Sequence, residues 1–200
     1  MSSPISQKSG PTQVASHTSN RWPGGQRQQT GAWCFAAAEA IVQQAFGVTI
    51  TQAEIAHNVL MARGAIGDTS QHAVDYHNGV QELWAMNNLA DPSWGSVGAL
   101  VQGDQTLNGY HRSSWGSPPL TGRTASDGGG LTVNQIITTL DANGLVLSGN
   151  ALHWKVIYGY IRYDDDSVQL RVYDPMTNST STPGSAAVIN SMLVSYRITG

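Results

Sequence analysis

The sequence predicts an α+β domain, with helices first and an antiparallel sheet last. Two observations carry that reading. Apolar residues recur at helical spacing in 33–46 and again in 132–142, whereas from residue 145 onward the pattern turns β-branched, aromatic and alternating. A four-residue polar turn, Asp164-Asp165-Asp166-Ser167, joins two of the later strands, and so short a connection makes them antiparallel. The chain of 200 residues is long enough to bury a core without disulfide staples.

In chain order, residues 1–20 are Ser-, Thr-, Pro- and Gln-rich without periodicity and read as a disordered or loosely attached arm, leaving 21–200 as the folded domain. Residues 33–46 (WCFAAAEAIVQQAF) are the first helix. Cys34 lies in its first turn, its Ala-rich face suits close packing, and Gly47 is placed to end it in a left-handed conformation. A second helix is expected over 52–62, where Thr51 and Glu54 have capping-box spacing. A weaker helix is expected within 70–87. Residues 94–130 are rich in Gly, Ser and Thr and read as a long loop region, either lining a site or running over the surface. Thr132 caps a helix over 132–142 that ends at Asn143-Gly144. Strands follow at 145–147, 153–163, 168–173 and 192–199.

Composition excludes several functions. Ten basic and thirteen acidic residues give a net charge of −3 with no basic stripe, which argues against nucleic acid as a partner. No apolar run approaches the ~18 residues of a membrane span. No secretory signal peptide is visible, so the expected location is the cytoplasm, or outside the cell by a signal-independent route. A single cysteine excludes an intrachain disulfide and a cysteine-built zinc site. His72 and His77 are five apart and do not stack on one helix face, so these and His111 read as surface histidines, not metal ligands. Asp164–Asp166 reads as a hairpin tip and lacks the later glutamate of a calcium loop. Trp94 and Trp115 read as loop anchors. No cofactor and no metal is called for.

A lone thiol is either core filler or chemistry, and the surroundings of Cys34 favour chemistry. An ordinary thiol with a pKa near 8.5 is only about 3% thiolate at pH 7. A helix N-terminus and a nearby imidazolium raise that fraction, up to about thirty-fold at full ionisation. Cys34 has the helix N-terminus by its position. His153 opens the longest strand, and Asp174 closes the returning one. The 164–167 turn lies midway between them, so a hairpin folded there brings the imidazole to a carboxylate able to orient it. Gln28 or Gln29, just upstream of Cys34, offers an amide donor for an oxyanion.

These residues resemble the papain-like cysteine proteases, in particular a bacterial branch that includes effector proteases of plant pathogens. The resemblance rests on Gln28 with Trp33-Cys34-Phe35-Ala36-Ala37, on Thr51-Gln52-Ala53-Glu54-Ile55-Ala56, on His153-Trp154 and on Tyr173-Asp174-Pro175. It covers 26–62 and 131–175. It implies a central helix carrying Cys packed on an antiparallel sheet carrying His and Asp. It further implies Cys34 as nucleophile, His153 as general base and acid, Asp174 as its orienting partner and Gln28 in the oxyanion hole. The implied activity is hydrolysis of peptide bonds in protein substrates through an acyl-thioester. An inhibitor or immunity protein enters as a partner by analogy alone. The same machinery also serves peptidoglycan amidases or endopeptidases, deamidases and acyltransferases, and an inactive fold of this kind serves as a binding module. Phe35 and Leu152 depart from the branch's usual Trp and Gly.

Overall fold

The structure, a computed structural model, describes residues 10–29, 33–55, 124–126, 131–150, 153–192 and 194–199. Its elements are β1 (Gln13–Thr18), α1 (Cys34–Ala45), β2 (Thr124–Ser126), α2 (Val133–Asp141), β3 (Leu145–Gly149), β4 (Trp154–Tyr163), β5 (Val168–Asp174), β6 (Ser179–Ser181), α3 (Ser185–Ser191) and β7 (Val194–Ile198). A further helical turn covers 52–55. The class is α+β, and every strand pairing in the sheet is antiparallel.

The sheet runs in the order β2-β7-β3-β4-β5-β6. β5 occupies one edge of β4 from Val156 to Arg162. The other edge is shared, with β3 pairing 154–157 and β1 pairing 159–163. Where the two meet, Gly159 passes so close to the His17 carbonyl that a Cβ would collide with it, and the register against β5 shifts at Tyr158.

Period-two alternation divides the sheet into two buried faces. Leu145, Leu147, Trp154, Val156 and Tyr173 pack with α1, whose Ala36, Ala37, Ala38, Ile41 and Val42 are fully enclosed. Val146, Ile157, Leu170 and Val172 pack with Ile136, Ile137 and Leu140 of α2 and with Val188 and Ile189 of α3. Burying both faces makes 145–147 read as a continuous apolar run, and the small residues of α1 let the helix axis approach the sheet closely.

Several boundaries follow from local chemistry. Thr132 and Gln135 form a complete capping box at the start of α2, and Asn143 leaves it at φ 56°. Gly47 takes φ +82° just beyond α1. The Asp164–Asp166 run forms the β4–β5 turn, where Asp166 sits at φ 63° and Asp165 Oδ1 accepts from the Ser167 backbone N–H (3.0 Å) and hydroxyl (2.6 Å). Those two bonds hold the exposed Asp165 carboxyl below its ordinary pKa.

Two sequence expectations need correction. Residues 13–18 are not a loose arm but an edge strand. Their side chains are mostly exposed, so hydrophobic patterning gives no signal, and backbone pairing with β4 holds them. Asp164 N–H donates to the Thr12 carbonyl (2.9 Å) and Thr12 N–H donates to Asp164 Oδ1 (2.9 Å), which fastens its start to the hairpin turn. Within the expected loop 94–130, Thr124–Ser126 is a strand paired with β7. The weaker helix of 70–87, most of 52–62, Trp94, Trp115, His72, His77, His111 and Leu152 lie outside the described residues.

Candidate active site

The segment after β1 determines where Gln28 ends up. Ser19 N–H donates to the Tyr158 carbonyl (2.9 Å), and Trp22 then stacks on the Tyr158 ring at 4.2 Å and 16°. Gly25 lies against the Tyr173 ring so tightly that a Cβ there would overlap it. Gln28 N–H finally donates to the Pro175 carbonyl (3.0 Å), one residue beyond Asp174. The segment therefore crosses the α1 face of β4 and β5 and delivers a buried Gln28 to the Asp174 end of the sheet.

The β4–β5 hairpin brings His153 to Asp174 as the turn position predicts. His153 Nε2 and Asp174 Oδ1 are 2.7 Å apart, with side chains 11% and 15% exposed. Asn150 holds His153 at the start of β4: its Oδ1 accepts from His153 N–H (2.8 Å) and its N–H donates to the His153 carbonyl (3.0 Å). The same Asp174 Oδ1 also accepts from backbone donors, Met176 N–H at 2.9 Å and Thr177 N–H at 3.4 Å. Its second oxygen, Oδ2, pairs with Lys155 Nζ at 3.1 Å. Burial alone would raise the Asp174 pKa, but hydrogen bonds and charge from His153 and Lys155 outweigh it and hold the carboxyl below its ordinary value. A carboxylate fixed in this way keeps the ring orientation of His153 and leaves Nδ1 as the nitrogen available for proton exchange with a neighbour.

Cys34 is the first residue of α1 and stands in the same apolar cluster as Trp33, Phe35 and Trp154. It is 4% exposed. Burial pushes the thiol pKa up. Backbone N–H groups at Trp154, Phe35 and Cys34 itself oppose that rise, and the Asp174 charge adds to it. Burial therefore disfavours the thiolate at this position. The helix N-terminus does act on the sulfur in the expected direction, but desolvation is larger. On the sheet side, the backbone N–H that acts on the sulfur is that of Trp154, next in sequence to His153. Trp154 shares the α1 face with Cys34, whereas His153 and Lys155 line a cavity with Val172 and Val188 on the α2–α3 face; the structure brings His153 to Asp174, but among the described residues no hydrogen bond joins Cys34 to His153.

Sequence reasoning assigned no role to Lys155, Asn150 or Gln52. Lys155 is two residues from His153, so strand alternation puts it on the same side and within reach of Asp174. Asn150 bonds the His153 backbone through its side chain, a signal readable in principle from Asn three residues before His153. A cavity of about 200 Å³ adjoins His153, lined by Asn150, Lys155, Ser181, Pro183 and Val188 among others. Among the described residues, no three His, Cys, Asp or Glu side chains converge on a point that could hold a metal ion. Among the same residues no helix is long and apolar enough to cross a membrane. No protein-family model matches the sequence, and no curated protein matches it.

Proposed function

We propose that this chain is a papain-like cysteine peptidase acting on protein substrates, with Cys34 as nucleophile, His153 as general base and acid, Asp174 as the residue that orients His153, and Gln28 as an oxyanion donor. The observation that carries the reading is the 2.7 Å contact between His153 and Asp174, made across a hairpin beside the strand residue whose N–H faces the Cys34 sulfur.

The chemistry starts from a thiol whose burial favours the neutral form. As Sγ forms its bond to the scissile carbonyl carbon, the thiol proton passes to His153 Nδ1 and the carbonyl π pair moves onto oxygen. The Cys34 backbone N–H, which has no acceptor within its own helix, and the Gln28 amide donate to that oxyanion. The oxyanion then collapses, the C–N bond breaks, and His153 returns the proton to the departing amine. Water, deprotonated by His153, attacks the thioester in the same manner and releases the acid and the thiol. Asp174 stabilises the imidazolium formed in each half and is not itself protonated.

The deep burial of Cys34 favours a second reading, an inactive domain of the same architecture that binds protein without turnover. Cleavage mapping on a complex protein mixture with wild type and Cys34→Ala separates them. Cuts made by wild type and lost in Cys34→Ala are the expected result. Identical patterns, or no cuts, refute the peptidase assignment, and release of ammonia or acyl transfer without chain cleavage points to the amidase, deamidase or acyltransferase use of the same residues.

A further inference from the structure

Gln52 is 5% exposed, and both ends of its amide are engaged on one short segment. Its Oε1 accepts from the Gln29 backbone N–H at 3.0 Å, and its Nε2 donates to the Arg27 carbonyl at 2.8 Å. These two groups bracket Gln28, whose own N–H donates to Pro175. The Arg27 carbonyl and the Gln29 N–H are thereby tied down on either side of the proposed oxyanion donor. Gln52 is in turn fixed by its neighbours: Thr51 N–H donates to Glu54 Oε2 (2.7 Å) and Glu54 N–H donates to Thr51 Oγ1 (3.1 Å), which sets the start of the helical turn at 52–55.

We propose that Gln52 is a positioning residue that holds the Arg27–Gln29 backbone so that Gln28 meets the oxyanion. The inference rests on the peptidase reading above. A primary amide is the side chain that can accept from one peptide N–H and donate to a peptide C=O at the same time, as a strand would. Glutamate keeps the shape and the acceptor but loses the donor, and leucine loses both. An oxyanion donor removed outright costs about 10²–10³ in kcat, and a donor displaced by its backbone loses part of that.

The test is steady-state kinetics on a peptide drawn from the cleavage map, with wild type, Gln28→Ala, Gln52→Leu, Gln52→Glu and the Gln28→Ala/Gln52→Leu double variant. The expected result is a fall in kcat of about 10- to 100-fold for Gln52→Leu with KM within about threefold, a smaller fall for Gln52→Glu, and a double variant no slower than Gln28→Ala alone. Gln52→Glu is nearly isosteric and keeps the experiment readable if Gln52→Leu fails to fold. Multiplying effects in the double variant, or an unchanged kcat in both single Gln52 variants, overturn the positioning role while leaving the peptidase standing. An active wild type unaffected by Gln28→Ala overturns it as well. A wild type without Cys34-dependent cleavage overturns both.

Discussion

Replacing Asp174 tests the link between the hairpin and the chemistry. Asp174→Ala removes the acceptor of the 2.7 Å His153 contact, the partner of Lys155, and the acceptor for the Met176 and Thr177 N–H groups. A hydrogen bond to a charged group contributes roughly 1.5–3 kcal/mol. If the His153 bond acts fully in the transition state, kcat/KM falls by about 10- to 150-fold, since each 1.36 kcal/mol is a factor of ten. Asp174→Asn separates the contributions. Its amide oxygen can still accept from Nε2–H and from Met176 N–H, but the charge that stabilises the imidazolium is gone. An intermediate loss is therefore expected, with less destabilisation than in the alanine variant. Peptide hydrolysis followed by fluorescence gives the rates, and thermal melts of each variant separate folding loss from catalytic loss. If Asp174→Ala retains activity within about twofold while folding normally, the proposed role of the pair in turnover is wrong.

Three further outcomes follow from the geometry. Folded protein should alkylate at Cys34 more slowly than urea-unfolded protein at pH 7.5, with a rate still climbing above pH 9, because burial raises the thiol pKa and every unit removes about tenfold of the thiolate; fast alkylation with a plateau near neutrality would show a preformed thiolate instead. Because the Asp174 pKa is depressed on folding, the stability it contributes is present above the unfolded carboxylate value of ~3.9 and is lost as pH falls through the folded value, so denaturation midpoints of Asp174→Asn, measured by urea titration from pH 5 downward, should depend less steeply on pH than those of wild type. Gly25→Ala should lower Tm by roughly 2–10 °C, since the new methyl group displaces the Tyr173 ring and overpacking costs about 1–3 kcal/mol in a chain of this size; an unchanged Tm would mean that the ring moves aside freely.

The parts of this molecule legible in its sequence are those whose signal is local. The turn at 164–167 announces the β4–β5 hairpin, and with it the meeting of His153 and Asp174. Thr132 with Gln135, and Gly47, mark helix ends through hydrogen bonds made within a few residues. Elements held by backbone pairing alone are invisible to hydrophobic pattern, which is why β1 reads as an arm and the exposed Ser179–Ser181 of β6 gives no strand signal. α3 is seven residues long with no fully buried side chain, too short and too weakly patterned to stand out. The upward push on the Cys34 pKa comes from burial in the folded core, so no reading of its own helix supplies it. Gln52 lies 24 positions from Gln28, and its amide bonds arise only when the chain folds back.

The register shift at Tyr158 divides β4 into two segments with separate alignments. In the first, alternation assigns Trp154 to the cysteine side and Lys155 to the carboxylate side, so sliding that stretch by one residue would exchange a fully enclosed indole for an ammonium and dismantle the site at a stroke. The second segment answers to β1 and to the Asp164–Ser167 reversal. Insertions at that distal reversal leave the 154–157 alignment untouched, whereas a single deletion within that stretch turns the side chains beyond it to the opposite face.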